Sequence, residues 1–332
     1  MTHIMGRNLF NMDKKKENSL KAIDLFAGIG GIRLGFERAF GDNIDFVFAS
    51  EIDKYARETY YANFGDEPKG DITQIDEKNI PPFDILLAGF PCQAFSVAGH
   101  RKGFEDTRGT LFFDVMRIAA HHKPKVIFLE NVKGLVGHDK GKTFKVILET
   151  LKELGYSVNY QILNAKDFGV PQNRERIYIV CFLEDDTTFE FPEQVKLNKK
   201  IQDCLEEKVE EKYYYKNKPM YEKIKDEIIC SDTVYQWRRH YVRGNKSNVC
   251  PTLTANMGTG GHNVPLVLDS HGIRKLTPRE CLNFQGYPQE YKLPKIVDSQ
   301  LYKQAGNSVA VVVIEEIAKL IEFSIGVKQN VF

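Results

Sequence analysis

Between residues 20 and 182 short apolar, β-rich runs alternate with helix-patterned stretches, and this rhythm restricts the fold more than any other feature of the chain. Residues 22–26, 45–49, 84–88, 126–129, 158–163 and 176–182 read as strands. Residues 31–40, 53–63, 111–121 and 142–154 read as helices, with Asp53 as an N-cap, Lys123-Pro124 ending the third and Gly155 stopping the fourth. A helix between successive strands requires a crossover, so the pattern predicts an α/β fold built on a doubly wound, mostly parallel sheet covered on both faces. Asp84-Ile85-Leu86-Leu87-Ala88 has the near-continuous apolar character of a strand buried on both sides.

Beyond Phe182 the rhythm is lost. Charged, weakly periodic sequence places a boundary near residue 185, and the segment to about residue 269 reads as a separate, irregular module. From residue 273 the pattern sharpens, and residues 308–325 form an apolar helix that should pack back on the first sheet. The first nineteen residues, with Lys14-Lys15-Lys16, read as a flexible extension in which Met5 or Met12 offers an alternative start. The six cysteines show no C-x-x-C pair, so neither a metal site nor a disulfide framework is expected, and the compartment should be reducing. No apolar run approaches the length of a membrane span, and the N-terminus lacks the apolar core of a signal peptide. The formal net charge of +1 counts against a chain that is basic throughout. It leaves room for a basic surface confined to one cleft.

Chemistry concentrates where strands end. Gly89-Phe90-Pro91-Cys92-Gln93 follows the buried strand 84–88, and Pro91 stiffens the approach to Cys92. Ligands and chemistry collect at such positions in open α/β sheets. A buried structural cysteine is the competing reading. Asp24-Leu25-Phe26-Ala27-Gly28-Ile29-Gly30-Gly31 is a strand, a glycine turn and a helix start, and Glu51 follows the second strand where an acid can take ribose hydroxyls. Together they read as a nucleoside-cofactor site. The spacing is not G-x-G-x-x-G, and Asp24 would repel a pyrophosphate, which disfavours a nicotinamide dehydrogenase. Asp71 supplies a second acid after a turn, equally readable as a solvated turn residue. Glu130 ends a buried strand at the same edge as Cys92, so two ionisable groups converge there. Arg174 and Arg176 alternate onto one face and can hold an anion or a base.

Six blocks carry a resemblance. Phe26-Ala27-Gly28-Ile29-Gly30-Gly31, Pro91-Cys92-Gln93, Glu130-Asn131-Val132, Gln172-Asn173-Arg174-Glu175-Arg176, Arg279-Glu280-Cys281 with Gly286-Tyr287-Pro288, and Gly306-Asn307-Ser308-Val309 resemble those of bacterial cytosine-C5 DNA methyltransferases of restriction–modification systems, in the family's order. The resemblance covers roughly residues 20–182 and 273–325. It implies the S-adenosylmethionine-dependent methyltransferase fold with a smaller irregular target-recognition domain. Residues 20–185 would be the catalytic and cofactor-binding domain, 186–300 the recognition domain, and 301–332 the C-terminal helix that completes the first.

By the same resemblance the cofactor is S-adenosylmethionine. Asp24, Phe26, Gly28 and Gly30 would line its methionine half, with Pro91 also in the cofactor site. Glu51 would take the ribose hydroxyls, Asp71 the adenine amino group, and Asn307 and Ser308 would close the site. Position 52 departs from the pattern: Ile52 stands where relatives often carry an aromatic that stacks on adenine. Cys92 would add to carbon 6 of a cytosine flipped out of duplex DNA, and Glu130 would hydrogen-bond or protonate ring nitrogen 3. An ordinary thiol titrates near ~8.5, and an ionised Glu130 beside it would push it higher, so Arg174 or Arg176 is expected to offset that charge and orient the base.

The loop 93–109 would close over the base, with Ser96, Arg101 and Lys102 near the DNA. Arg238, Arg239 and Arg243, with Thr252, Thr254, Gly258 and Gly260 of a glycine-rich loop, would form the recognition surface. The expected partners are duplex DNA and, functionally, a restriction endonuclease. A monomeric, cytoplasmic enzyme is implied. A tRNA cytosine-C5 methyltransferase and a catalytically silent DNA-binding module are the alternatives.

Overall fold

Alternating residues of the central strands enter two different cores. Ala22, Ile85, Leu87, Val126, Phe128, Tyr178 and Val180 pack on one side of the sheet, and Ile23, Leu25, Leu86, Ala88, Ile127, Leu129 and Ile179 on the other. A strand whose successive side chains all find apolar partners must be covered twice. The computed structural model describes residues 19–91, 111–184, 187–238, 240–245, 248–257 and 263–326. The sheet comprises β1 (Leu20–Leu25), β2 (Ile44–Ser50), β3 (Ile85–Ala88), β4 (Val126–Val132), β5 (Ser157–Asn164) and β6 (Glu175–Phe182), in the order β2-β1-β3-β4-β6-β5. The pairs among β1 to β4 are parallel, whereas β6 runs antiparallel to both β4 and β5. This is a doubly wound, mostly parallel sheet with one reversed strand.

That reversal positions the site. The carboxyl ends of β1 to β4 share one edge, and β6, running the other way, begins there. Val132 pairs with Arg176 and Glu130 with Tyr178. Four helices belong to this layer: α1 (Gly31–Phe40), α2 (Lys54–Phe64), α3 (Leu111–His122) and α4 (Lys142–Glu153). Asp53 caps α2, its carboxylate accepting from the N–H groups of Tyr55 (2.9 Å) and Ala56 (3.3 Å).

The second segment has more order than its sequence pattern suggests. After the single turn α5 (Tyr221–Ile224), the strands β7 (Tyr235–Arg238), β8 (Tyr241–Gly244), β9 (Leu266–Asp269) and β10 (Gly272–Lys275) form an antiparallel sheet in the order β10-β9-β7-β8. Each is four residues long and partly exposed, too short for alternation to register. Its small core joins Tyr215, Ile224, Ile228, Tyr235, Leu266 and Ile273.

Three further helices follow: α6 (Pro278–Asn283), α7 (Asp298–Asn307) and α8 (Val311–Ser324). Thr277 and Glu280 form a capping box on α6. The helix expected over 308–325 is α8, which starts three residues late because Ser308 is extended and the Val311 N–H donates to the Gln285 carbonyl at 2.8 Å; α7, just before it, has no counterpart in the sequence pattern. Ile314, Ile317, Ala318 and Ile321 of α8 share a core with Ile32, Phe36 and Phe40 of α1. Cys281, Leu282, Phe284, Tyr302 and Ala305 pack with Ile29 and Ala56 of the first layer and with Cys204 and Cys250 of the second segment, joining the two. Among the described residues no helix is long and apolar enough to cross a membrane.

Candidate active site

A cavity of about 750 Å³ opens at the edge where β1 to β4 end and β6 begins. Phe26, Gly28, Glu51, Ile52 and Asp71 line one part. Pro91, Glu130, Arg174 and Arg176 line another, and Thr252, Thr254, Asn307 and Ser308 complete the lining. Thirteen residues singled out from the sequence thus meet in one space.

On the β1 side, the turn after Leu25 is left-handed at two positions, Phe26 (φ 55°) and Gly28 (φ 55°). Positive φ at a bulky residue such as Phe26 is uncommon and held only by its surroundings. A Cβ on Gly28 would meet no atom within 4 Å, so the turn leaves open space against the cavity. The Glu51 carboxylate accepts from the N–H groups of Gly28 (2.8 Å) and Asp53 (2.7 Å), which fixes its orientation and leaves lone pairs for a vicinal diol. Ile52 is 70% exposed at the rim, an apolar surface available to a ring. Asp71 caps the turn that follows it, Oδ1 accepting from the Thr73 N–H and hydroxyl. These residues fit the adenosine portion of S-adenosylmethionine.

Two expected cofactor residues lie elsewhere. Neither Asp24 nor Gly30 lines the cavity. Asp24 alternates with Ile23 and Leu25, so it points beneath α1 and is fully buried. Neither carboxylate oxygen has a hydrogen-bond partner among the described residues, and burial pushes its pKa up to about 8 against the opposing charge of Arg33. Gly30 (φ 79°) precedes α1, where a side chain would collide with the rings of Phe64 and Tyr60. Its glycine serves packing.

On the β4 side, Arg176 Nε lies 3.0 Å from Glu130 Oε1. The N–H is not aligned on the oxygen, so the contact is an ion pair and Oε1 keeps no hydrogen-bond donor. Burial raises the Glu130 pKa, and the charges of Arg176 and then Arg174 oppose the rise. Arg174 is turned away from the carboxylate: Nη1 donates to the Leu253 carbonyl (3.0 Å) and Nη2 to those of Gly306 (3.2 Å) and Ser308. Of the two arginines, Arg176 is the one paired with Glu130.

Some features escaped sequence reading. Asn131 donates to the Phe90 carbonyl at 2.7 Å, tying the end of β4 to the backbone that leads into Pro91. Lys303 and Gln304 also line the cavity. Lys303 pairs with Asp53 (2.5 Å), and Gln304 accepts from Thr59 and donates to the Tyr55 carbonyl (both 2.9 Å). Their position in the turn before Asn307 was the available signal. Thr252 and Thr254 spend their hydroxyls on Asn173 O (2.5 Å) and Asn256 Oδ1 (2.6 Å). Arg238 and Arg243 are exposed on β7 and β8, away from the cavity. Cys92, Ser96, Arg101, Lys102, Arg239, Gly258 and Gly260, and with them the loop 93–109, lie outside the described residues. Among the described residues no group of three or more His, Cys, Asp or Glu side chains is placed to hold a metal ion.

Comparison with known proteins agrees with this geometry. Residues 20–322 match the family of C-5 cytosine-specific DNA methylases. The chain is 56% identical over 309 residues to Type II methyltransferase M.Bsp6I of Bacillus sp. strain RFL6, covering 90% of this chain and 98% of that protein. It is 47% identical over 305 residues to Type II methyltransferase M.SsoII of Shigella sonnei, covering 91% and 79%. In fold it resembles the crystal structure of the Dnmt2 methyltransferase of S. pombe, with a TM-score of 0.72 and 22% identity, covering 92% and 99%. Matched over nearly its whole length, the chain belongs to the C-5 cytosine-specific DNA methylase family.

Proposed function

We propose that this chain methylates carbon 5 of a flipped-out cytosine at a specific duplex sequence, with Cys92 as nucleophile, Glu130 as the partner of ring nitrogen 3, and Arg176 as the group that holds Glu130 and the base. The observation that carries the reading is the Glu130–Arg176 pair at the rim of the nucleoside pocket, where the backbone runs through Phe90 and Pro91 toward Cys92 in sequence.

Carbon 5 of cytosine is a weak nucleophile. Addition of the Cys92 thiolate at carbon 6 makes carbon 5 an enamine carbon, and charge arrives at ring nitrogen 3. A carboxyl whose pKa is raised by burial stays protonated at higher pH than an exposed one, which suits Glu130 to donate there. S-adenosylmethionine, when bound, supplies the electrophilic sulfonium methyl. Glu51, Ile52 and Asp71 would hold its adenosine, with Phe26 and Gly28 toward the methionine end. Loss of the carbon 5 proton to a general base and departure of the Cys92 sulfur restore the aromatic ring. Arg176, 3.0 Å from Glu130, would hold the carboxyl in place and offset the negative charge of the reacting thiolate.

Residues 186–300 serve in this reading as the target-recognition domain, with Arg238, Arg239, Arg243 and the loop around Thr252, Thr254, Gly258 and Gly260 toward the DNA, and Ser96, Arg101 and Lys102 would also act near the DNA. Residues 301–332 complete the catalytic domain. The enzyme would act as a monomer in the cytoplasm and protect DNA from a partner restriction endonuclease.

The test is twofold. Sequencing methylated cytosines in DNA from cells expressing the chain should reveal one short recognition site. Incubation with a duplex carrying 5-fluorocytosine at that site, plus the methyl donor, should give a covalent adduct at Cys92 by mass spectrometry. Absence of any methylated site, or of the adduct with an active enzyme, refutes the assignment.

A further inference from the structure

Arg174 is 2% exposed, yet among the described residues it forms no ion pair. A buried cation is costly unless its donors are satisfied. Here Nη1 and Nη2 are met by backbone carbonyls on two segments distant in sequence, Leu253, and Gly306 with Ser308, while Nε has no hydrogen-bond partner among the described residues. Burial, with Arg176 beside it, pulls the Arg174 pKa down to about 9, so the charge rests on these carbonyls and on the nearby Glu130.

The same junction is reinforced by other contacts. The Cys250 N–H donates to Pro171 O (2.6 Å), the Asn173 N–H to Cys250 O (2.8 Å) and the Thr252 hydroxyl to Asn173 O (2.5 Å). The loop beginning at Cys250 is therefore bound to the segment leading into β6. On its other side, Gly306 lies so close to the loop that a Cβ there would overlap the Thr254 carbonyl and the Ala255 nitrogen. Gly306 immediately precedes Asn307 and Ser308, which line the cavity. One guanidinium thus joins the lead-in to β6, the 250–255 loop and the break between α7 and α8.

We infer that Arg174 is a positioning residue that locks the 250–255 loop to the cavity wall formed by Asn307 and Ser308, so that docking of the duplex and retention of the methyl donor are energetically coupled. This rests on the reading of the cavity and loop given under Proposed function. Linkage requires the coupling to be reciprocal: whatever the duplex adds to cofactor affinity, the cofactor adds to duplex affinity. Arg174 does not touch the reacting base in this scheme. It acts through the two segments it holds.

The test uses the full chain as wild type, Arg174→Ala, Arg174→Lys and Gly306→Ala. Initial rates give KM for S-adenosylmethionine, KM for a duplex carrying the mapped site, and kcat. Titration calorimetry gives the affinity for S-adenosylhomocysteine with and without that duplex. In wild type the duplex should tighten S-adenosylhomocysteine binding. Loss of a charge-assisted bond predicts that Arg174→Ala raises both KM values together by roughly tenfold, with a smaller change in kcat. Gly306→Ala, which disturbs the junction from the opposite side, should do the same. In both variants the duplex-induced tightening should collapse toward none, and Arg174→Lys should recover part of it.

A merely structural role would lower the melting temperature while leaving the ratio of the two affinities intact. That result, a rise in only one KM, a fall in kcat alone, or no tightening in wild type overturns the inference. If Arg174→Ala does not fold, Gly306→Ala and Arg174→Lys carry the same decision. A wild-type protein that transfers no methyl group refutes the function beneath the inference; one that methylates DNA but shows no coupling refutes the inference alone.

Discussion

Arg176 and Glu130 sit diagonally across the antiparallel pair β4–β6, Nε 3.0 Å from Oε1, each nearly closed off from solvent. Cross-strand diagonals are within reach of long side chains, so the sheet register itself brings the two together. Removing the carboxyl while keeping its shape isolates its chemistry. Glu130→Gln should lower kcat by about 10²–10⁴-fold, the usual range for a lost general acid, while duplex affinity in a filter or polarisation assay stays near wild type. Near-normal turnover would exclude a proton-handling role for Glu130.

Arg176 is predicted to tune that carboxyl. Burial raises the Glu130 pKa and Arg176 is the first charge to oppose the rise, so Arg176→Ala should raise it further. If turnover needs Glu130 protonated, activity is lost as pH climbs through its pKa, and a higher pKa moves that alkaline limb to higher pH. The variant's pH–rate profile should therefore show a lower plateau and an upward-shifted alkaline limb. An unshifted limb would mean that the ion pair does not set the protonation state.

The fold and much of this site can be read in the sequence because β3 and the first half of β4 are buried on both faces and leave uninterrupted apolar runs, and β1 and β2 are mostly apolar and set off by helix-patterned stretches. Their ends mark the active edge. Strand direction leaves no such trace: nothing in residues 175–182 announces that β6 runs backwards, although the reversal is what delivers Arg174 and Arg176 to that edge. Period-two alternation, applied to β1, would have shown that Asp24 shares a face with Ala22, under α1, rather than with the cavity. The four-residue strands β7 to β10 are too short and too polar to register as alternation. The different roles of Arg174 and Arg176 depend on carbonyls 79 to 134 residues further along the chain.

A buried ion pair anchors the small sheet to α6. Arg274 and Glu280 are both fully buried and bonded through two parallel contacts of 2.8 Å, and Arg274 also reaches Asp269. Arg274→Met would leave Glu280 buried without its partner, at a cost of about 3–5 kcal/mol in urea unfolding at neutral pH. Asp269 adds a pH signature. Burial works to raise its pKa, but the bonds from Arg274, the His271 N–H and Tyr214 outweigh burial and lower it. Its contribution is present above the unfolded carboxyl pKa and fades as pH falls through the depressed folded value. The stability gap between wild type and variant should narrow in strong acid.

Gly35 sets the distance between α1 and α8. In a helix interior alanine is favoured over glycine by about 1 kcal/mol. Here an added Cβ would lie 2.5 and 2.6 Å from Ile314 Cγ2 and Cβ and 3.1 Å from the Glu315 nitrogen. A branched side chain and a helix backbone yield poorly, and overpacking of this kind costs about 1–3 kcal/mol, so the clash should prevail. Gly35→Ala should lower the melting temperature. A higher melting temperature would mean that α8 slides freely over α1.

Ile52 offers a gain-of-affinity test of the adenosine pocket. It projects from the rim beside Glu51, 70% exposed, with apolar surface available to a nucleobase but no π face. An aromatic side chain there can stack on the adenine, and an offset-stacked pair adds about 0.5–1.5 kcal/mol beyond its buried area. Ile52→Trp should therefore lower KM for S-adenosylmethionine by roughly two- to tenfold and tighten S-adenosylhomocysteine to a similar degree. The duplex KM should change less than the cofactor KM if ring stacking is the dominant effect. Product release would slow, so kcat should fall if release limits turnover. An unchanged cofactor KM, with the tryptophan fluorescence unquenched on addition of S-adenosylhomocysteine, would move the adenine to another part of the cavity.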